Sequence, residues 1–462
     1  MERGAALLRD VILSPPMLRT PPPLSRSSSF SSTPRLVGTA ALLAAVSACS
    51  SAPAPAPSAA PAPSGTAVAA PKREPHAEVL WRHRLGQEGI PQVDHLVTNA
   101  AGDLLIGAGG NDVALLFRFD ATGKPLWRTS VTTFRSWFGG VALDDGDGAY
   151  ATAWFDTEVT VGNRSISGGA ASSIFLLKLD GEGKRAWSTV LGGDGVEYPQ
   201  LAVSPKGDVL LAGSFITDLE VGTIKLPGGV SASGGHSGNL FVAQLDSSGK
   251  ARWAREILTS GFFSQMILDG AGDIIVSGDF WGSVAFDPAS PMRAEKQSSG
   301  DSRNHFLAKL DASGRLRWAR HVEAQSIVAS PDGSGELHVC ALPGSGPPEI
   351  KKISADGRVL ARLALPDGGP ECSSVAVDDQ GMIYVAGRKE NGPPHPETGD
   401  PARMQHVVKM DSTGKVLSSV TLFEDFTMTP ALHLLWSKGH LYLAGVNGNY
   451  KDPSLYLAEL TL

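Results

Sequence analysis

The amino-acid sequence predicts an all-β fold, a seven-bladed β-propeller whose blades each contain four strands. Three observations support this prediction. The chain of 462 residues contains 53 Gly and 32 Pro, and only 19% of its residues are charged, which suits short strands joined by turns better than helices. Two short patterns alternate along the chain; the A–B pattern occurs seven times, and the C–D pattern occurs six times complete and once divided between the two ends. The patterned region also begins and ends with complementary halves of one repeat.

Each repeat reads as four strands, which we call A to D. Strands A and B form a hairpin such as LAVSPKGDVLLAGSF at 201–215, and strands C and D form one such as HFLAKLDASGRLRW at 305–318. Short apolar runs bounded by Gly and Asp are typical of strands and hairpins. A four-stranded repeat of roughly 43–66 residues fits one propeller blade. The predicted D strands begin at residues 78, 124, 184, 250, 315, 358 and 415.

The turn between strands C and D carries the pattern D-x-x-G-x-x-x-W, as in Asp311, Gly314 and Trp318. An Asp side chain can accept backbone N–H groups within its own turn, and Gly can adopt a positive φ. Copies spread around a ring cannot converge on one reactive centre, so we interpret the pattern as structural. The Trp is predicted to pack between neighbouring blades. Its copies are Trp81, Trp127, Trp187, Trp253 and Trp318.

The two ends of the patterned region predict how the ring closes. EVLWRHRLG at 78–86 matches strand D without strands A to C before it, and SLYLAELTL at 454–462 matches strand C without a strand D after it. If the first segment joins the last, the seventh blade is complete and no strand edge is left open there.

The repeat resembles that of the bacterial seven-bladed β-propeller repeat family, whose units read roughly D-G-N-V-Y-V-A-G … F-V-A-K-L-D-x-x-G-x-x-x-W. IYVAG at 383–387 and LYLAG at 441–445 carry the resemblance, which covers about 78–462. It implies the fold and not the function, because propellers host many unrelated tasks. The fifth and sixth repeats depart from it, with Ala361 and Ser418 in place of Trp. The turns also resemble those of quinone-cofactor propellers, but no set of cofactor or metal ligands accompanies them, so we expect neither.

Residues 1–48 are expected to be a lipoprotein signal peptide. Arg residues among Ser and Pro precede the apolar run LVGTAALLAAVSA, which is too short to span a bilayer as a helix. The run ends in VSAC at 46–49, which resembles the lipobox of bacterial lipoproteins and implies that Cys49 carries the lipid, including palmitate. Ser50 at the next position implies the outer membrane by the enterobacterial sorting pattern. An ordinary signal peptide with a chance cysteine is the alternative, and translation could start at Met17 instead of Met1.

Residues 49–77 are expected to be a tether, because alternating Ala and Pro favour an extended polyproline II conformation. At about 3.1 Å per residue it could reach roughly 80 Å. The propeller is then residues 78–462. The protein is expected in the cell envelope, facing the periplasm or the surface, and touching the membrane through its lipid anchor only.

Net charge and cysteine content bear on two questions: whether the protein binds nucleic acid and whether it contains disulfide bonds. The formal net charge is −7, which argues against a nucleic-acid partner. Three cysteines are too few for a disulfide framework. Cys340 and Cys372 fall on neighbouring blades, so a disulfide between them is conceivable in an oxidising compartment. Two buried free thiols are nevertheless the favoured interpretation.

The binding face is predicted from loop length. The B-to-C connections are short in blades one, five and seven and long in the others, at 156–173, 216–239, 281–304 and 388–405. Variable loops on a rigid scaffold are where function usually lies. In two of these loops, EVTVGN and LEVGTIKL are expected to form extra hairpins. Together with the D-to-A connections on the same side, the loops give a candidate binding face of Trp137, Tyr198, His236, Phe262, Phe263, Trp281, Arg303 and His395.

No catalytic residue is predicted. The calcium-like strings DDGDG at 144–148 and DGAGD at 269–273 lack the ligand spacing of an EF-hand loop. The favoured function is non-catalytic binding of a protein, peptide or glycan. The alternative is a glycan hydrolase or lyase at the mouth of the central channel, with Glu197 and Asp218 as candidate acids. A mainly structural surface protein is the third hypothesis.

Overall fold

In the computed structural model of the chain, the described residues contain β-strands as their only regular secondary structure. Within this part of the chain, no helix is long and apolar enough to cross a membrane. The described residues are 78–86, 92–109, 113–133, 138–155, 157–162, 164–168, 173–192, 195–228, 238–295, 303–342, 347–366, 369–394, 401–423, 432–447 and 454–462.

The strands have the following bounds. The first sixteen are β1 (Glu78–Gly86), β2 (Gln92–Thr98), β3 (Leu104–Gly109), β4 (Val113–Phe119), β5 (Pro125–Thr133), β6 (Phe138–Leu143), β7 (Ala149–Phe155), β8 (Glu158–Val161), β9 (Arg164–Ser167), β10 (Ser173–Leu179), β11 (Arg185–Leu191), β12 (Glu197–Val203), β13 (Val209–Phe215), β14 (Leu219–Val221), β15 (Ile224–Leu226) and β16 (Asn239–Leu245). The others are β17 (Ala251–Leu268), β18 (Ile274–Ala285), β19 (Met292–Arg293), β20 (Arg303–Leu310), β21 (Leu316–Arg320), β22 (Ser326–Ala329), β23 (Leu337–Ala341), β24 (Glu349–Ile353), β25 (Val359–Ala364), β26 (Ser374–Val377), β27 (Ile383–Pro394), β28 (Pro401–Met410), β29 (Val416–Phe423), β30 (His433–Ser437), β31 (His440–Asn447) and β32 (Ser454–Thr461).

The strands pair into four-stranded antiparallel units, which we number along the chain. Unit 1 is β2 to β5, and unit 2 is β6, β7, β10 and β11. The long strand β17 serves two units, because 251–257 pairs with β16 and 258–268 pairs with β18. Unit 3 is thus β12, β13, β16 and the first part of β17, and unit 4 is the rest of β17 with β18, β20 and β21. Units 5 and 6 are β22 to β25 and β26 to β29, and unit 7 is β30, β31, β32 and β1.

The N-terminal strand β1 lies at the edge of the sheet formed by β30, β31 and β32. β1 pairs antiparallel with β32, from Glu78 opposite Thr461 to Gly86 opposite Leu455. The observed strands at the predicted D positions begin within one residue of their predicted starts.

The first strands of successive units lie side by side. β2 contacts β6, β6 contacts β12, β12 contacts β17, and the series continues through β22 and β26 to β30, which contacts β2. Side chains of one first strand also form hydrogen bonds with the backbone of the next first strand. The Gln265 amide donates to Ile327 O at 3.3 Å and accepts from Ile327 N at 2.8 Å, and Ser374 Oγ accepts from Leu434 N at 2.9 Å.

The apolar core lies between neighbouring units rather than within one sheet. One cluster joins Leu116 of unit 1 to Phe155 and Phe175 of unit 2. Another joins Ile106 of unit 1 to Leu457 of unit 7. Each sheet therefore buries both faces, which explains strands with near-continuous apolar sequence.

The Trp of strand D packs against the turn of the next unit. Each described Trp ring lies close to the turn glycine of the following unit. A Cβ added to Gly183 would lie 2.7 Å from the ring of Trp127, and one added to Gly357 would lie 2.6 Å from the ring of Trp318. Gly249 and Gly314 meet Trp187 and Trp253 in the same way. The side chain of Trp81 lies outside the described residues. Unit 5 has Ala361 at the Trp position, and there Leu363 makes the contact instead. A Cβ added to Gly414, the turn glycine of unit 6, would lie 3.2 Å from the Leu363 side chain.

The D-x-x-G segments are turns, as predicted. Asp311 Oδ1 accepts hydrogen bonds from Ser313 N at 2.9 Å and Arg315 N at 3.0 Å. Gly314 has a φ of +75°, a conformation that side-chain-bearing residues rarely adopt. Hydrogen bonds from Ser313 and the turn backbone lower the pKa of Asp311.

Cys340 and Cys372 form a disulfide bond, so the favoured interpretation of two free thiols is wrong. Both side chains are buried, at 0% and 1% exposure, and their Cα atoms are 5.6 Å apart, within the range that a disulfide requires. The bond links β23 of unit 5 to the segment before β26 of unit 6, a proximity that only the packing of two units creates.

The long B-to-C connections contain additional strand structure. β8 and β9 form a hairpin, as EVTVGN predicts, but β8 pairs with β5 of the preceding unit through Val161 opposite Val131. β14 and β15 form the second expected hairpin. In units 4 and 6, part of the predicted loop continues the strands, since β18 extends to Ala285 and β27 to Pro394.

Candidate functional site

Three aromatic side chains from units 3 and 4 form a continuous cluster on the long-loop face. Tyr198 comes from β12, Phe262 from β17 and Trp281 from β18. The Tyr198 and Phe262 ring centroids are 5.2 Å apart, and those of Phe262 and Trp281 are 5.9 Å apart. Tyr198 is 50% exposed and has a φ of +53°, which costs backbone strain in a non-Gly residue. We call these three residues the aromatic cluster.

Charged side chains continue the aromatic cluster across the sheet of unit 4. Asp279 lies opposite His305, and Trp281 lies opposite Arg303, on the paired strands β18 and β20. His305 Nδ1 hydrogen-bonds Asp279 Oδ1, and Arg303 Nη1 lies 4.0 Å from Asp279 Oδ2. The hydrogen bond to Asp279 raises the pKa of His305, against the opposing effect of burial. The arrangement favours a protonated imidazole held in one orientation beside an aromatic surface.

The sequence patterns did not single out Asp279 and His305, although the repeats, once aligned with each other, show a charged pair at this position. The corresponding cross-strand pairs are Trp154 with Ile174 in unit 2 and Ser214 with Leu240 in unit 3. Only the alignment of the three hairpins with each other shows that unit 4 places a charged pair where its neighbours place largely apolar ones.

The structure brings together Tyr198, Phe262, Trp281 and Arg303 from the predicted binding face. It places Phe263 elsewhere: this side chain is only 2% exposed and packs against Phe306, with ring centroids 5.9 Å apart. The assignment of Phe263 to the face was wrong, because neighbouring residues of a strand point to opposite sides. Trp137, His236 and His395 lie outside the described residues.

The candidate acid Asp218 and the two calcium-like strings take part in hydrogen bonds within the fold. Asp218 is exposed, and its Oδ1 accepts from Gly228 N at 2.7 Å; Glu197 begins β12. In the string at 144–148, Asp144 Oδ1 accepts from Gly148 N at 2.8 Å. In the string at 269–273, Asp269 Oδ2 accepts from Lys309 Nζ at 2.6 Å. Across the described ranges, no group of three or more His, Cys, Asp or Glu residues could hold a metal ion.

A histidine pair lies where unit 7 meets units 1 and 2. His433 Nε2 donates to Val93 O, and His95 Nε2 donates to Phe138 O, both at 3.1 Å. Their ring centroids are 6.4 Å apart. Burial lowers the pKa of each histidine to about 4, and for His95 the charge of His433 adds to the effect. Burial also raises the pKa of Asp94 to about 7, although hydrogen bonds from Gln92 and Phe138 N oppose the shift.

These groups predict a pH-dependent stability that one substitution would change. A folded-state pKa of about 7 for Asp94 means that its ionisation costs stability as pH rises from about 4 to 7. The histidines act oppositely and cost stability as pH falls from about 6.5 to 4. We expect Asp94→Asn, which keeps an oxygen for Phe138 N, to raise the free energy of unfolding by about 2 kcal/mol at pH 8. Near pH 3.5 the gain should vanish.

Urea unfolding of both proteins at the two pH values measures this difference. An equal gain at pH 8 and pH 3.5 would mean that packing, not ionisation, determines the effect. The contributions of the strained Tyr198 backbone and of the disulfide are the same in the unsubstituted protein and in Asp94→Asn, so they cancel in the difference between the two unfolding free energies.

Repeated four-stranded antiparallel sheets, packed face to face with their first strands adjacent, define a β-propeller-type protein. No family model and no curated protein matches the chain.

Solved structures with loose similarity include a protein of unknown function from Bacteroides caccae. That structure shares 13% identity, with 71% of this chain and 98% of the other covered and a TM-score of 0.39. A gluconolactonase from Xanthomonas campestris shares 15%, with 73% and 91% covered and a TM-score of 0.34. TolB from Acinetobacter baumannii shares 15%, with 73% and 64% covered and a TM-score of 0.36. The class of this chain therefore follows from its own strand order and contacts.

Proposed function

We propose that this chain is a lipid-anchored, extracytoplasmic binding or scaffold protein whose ligand contacts the long-loop face of units 3 and 4. The observation that carries the proposal is the aromatic cluster, which continues into Asp279, His305 and Arg303. Tyr, Trp and Arg are the residue types that dominate binding energy at interfaces, and here a half-exposed Tyr198 and a partly buried Trp281 lie next to Arg303. The ligand is a protein, a peptide or a glycan.

The scaffold is proposed to be a closed ring of seven blades. Three observations support closure: β1 lies in the sheet of β30, β31 and β32, β30 contacts β2, and His433 bonds the backbone of Val93. A closed ring keeps the loops of units 3 and 4 at fixed positions and so lowers the entropy cost of binding.

The anchor and the location rest on sequence. Cys49 follows the apolar run 36–48 and lies outside the described residues, as do the signal peptide and the tether. In the proposal, Cys49 carries the lipid, residues 50–77 span the gap, and the domain resides at the outer membrane.

The binding test uses the purified protein, immobilised and exposed to envelope extract, with bound proteins and glycans identified separately. Trp281→Ala is expected to weaken capture by at least about tenfold, because loss of a central aromatic residue typically costs 2 kcal/mol or more. Leu360→Ala is the matched control, since Leu360 is 51% exposed but lies on β25 of unit 5. Equal capture by both variants would contradict the proposed face.

One observation favours the alternative of a glycan hydrolase or lyase. His305 is oriented by Asp279, as a general acid or base requires. If the protein released fragments from envelope glycan, and His305→Gln abolished release while Trp281→Ala weakened only binding, the enzyme would replace the binding protein as the better description.

A further inference from the structure

We propose that a groove along the outer edge of unit 4 binds an extended peptide strand with alternating apolar and acidic residues. The groove has a volume of about 640 Å³. It is lined by β21, by the segment 290–292 and by Ala355 and Asp356 of the next unit. None of these residues belongs to the aromatic cluster, so this is a second site.

The edge of β21 is available for strand addition. β21 is the last strand of its sheet and pairs with β20 along one side; along its other side, no described strand pairs with it. An unpaired edge presents backbone donors and acceptors that a peptide strand can use.

Unit 1 shows that this fold adds a strand at such an edge. β5 is the last strand of the four-stranded sheet there, and β8 pairs antiparallel with its residues 131–133. The β8 hairpin comes from the 17-residue connection between β7 and β10, whereas seven residues join β23 to β24 in unit 5. The connection next to β5 is thus long enough to supply an added strand, whereas the connection next to β21 is much shorter.

The backbone of Ala319 identifies the groups that face the groove. Ala319 O accepts a hydrogen bond from its neighbour's guanidinium, Arg320 Nη1, at 2.8 Å, so this carbonyl does not point at β20. The N–H and C=O of one residue in an antiparallel strand point to the same side. Ala319 therefore offers a donor and an acceptor to an added strand, which would displace the Arg320 side chain from the carbonyl.

Charge and apolar surface define the chemistry of the occupant. Arg315, Arg317 and Arg320 are exposed within six residues, in a chain of net charge −7. Arg317 already pairs with Asp273 at 2.9 Å, and Asp356 pairs with Arg358 at 2.9 Å, so the uncompensated charge along this edge is positive.

Apolar surface accompanies these charges. Leu316, Trp318, Met292 and Pro291 also line the groove, and Trp, Met and Arg are enriched at protein interfaces. Alternate apolar and acidic side chains of an extended peptide match this surface.

The test is fluorescence anisotropy of a labelled peptide of three Val-Glu repeats with the full protein. We expect saturable binding that Ala319→Pro weakens at least about tenfold, because Pro removes the outward N–H and leaves the ladder to β20 intact. Ser419→Pro on β29 is the matched control, since Ser419 holds the same position, one residue after Ser418, in unit 6. It should bind like the unsubstituted protein. Met292→Glu, outside β21, should also weaken binding through charge repulsion and provides a second variant if Ala319→Pro fails to fold.

Several outcomes would overturn the proposal. These are absence of binding to the unsubstituted protein, equal loss in the two Pro variants, or equal affinity for three Val-Lys repeats. A concentration-dependent dimer in sedimentation experiments that Ala319→Pro abolishes would identify a second copy of the chain, and not an acidic peptide, as the occupant.

Discussion

Deletion of residues 78–86 is expected to unfold the domain at ambient temperature. The deletion removes β1, which pairs with β32 along its whole length, and exposes one edge of a strand whose Leu455 and Leu457 are at most 1% exposed. The loss should be comparable to the whole stability of a typical domain, about 5–15 kcal/mol. Circular dichroism during heating would show the loss of the cooperative transition.

A rescue variant separates the role of β1 from that of chain length. Residues 78–86 are moved behind Leu462 through the turn sequence DSTGK, which joins β28 to β29 at 411–415. Because Glu78 lies opposite Thr461, a tight turn can make this connection. The permuted chain should regain most of the melting temperature. If the deletion alone left the melting temperature unchanged, the proposed ring closure would be wrong.

Gly357→Ala is expected to destabilise the protein by about 3–4 kcal/mol. The residue has a φ of +83°, where a Cβ costs roughly 1–2 kcal/mol. The new Cβ would also lie 2.6 Å from the ring of Trp318, which is only 7% exposed, and such overpacking costs a further 1–3 kcal/mol.

Gly381→Ala is the matched control for this prediction. Gly381 has a φ of +76° in a turn, but nothing lies within 4 Å of the position of its Cβ. Its substitution should cost only about 1–2 kcal/mol. Denaturant unfolding of the two variants isolates the contribution of the contact between units, and equal losses would show that backbone strain accounts for both.

The repeated parts of this protein could be predicted from sequence because each of them occurs several times along the chain. The turn at Asp311, the packing of Trp127 and Trp318 and the pairing of β1 with β32 all follow from a period and its two incomplete ends. Features that occur once could not be predicted in this way. The disulfide of Cys340 and Cys372 needs two units at a particular distance.

The candidate site combines both kinds of information. Loop length, together with the aromatic and charged residues within those loops, predicted Tyr198, Phe262, Trp281 and Arg303. The strand register, which sends Phe263 into the core and sets Asp279 opposite His305, became visible only in the paired strands. The attachment of β8 to β5 likewise depends on the packing of unit 2 against unit 1.

The pairing of Glu78 with Thr461 also places the two ends of the described domain side by side. Both residues lie where the C-to-D turns of other units lie, so Glu78, the first described residue, and Thr461 stand at the tight-turn end of the strands. The aromatic cluster of units 3 and 4 lies toward the other end of the strands, on the long-loop face. A reporter fused after Leu462 would therefore sit at the end of the strands away from the aromatic cluster and should leave ligand binding there unchanged.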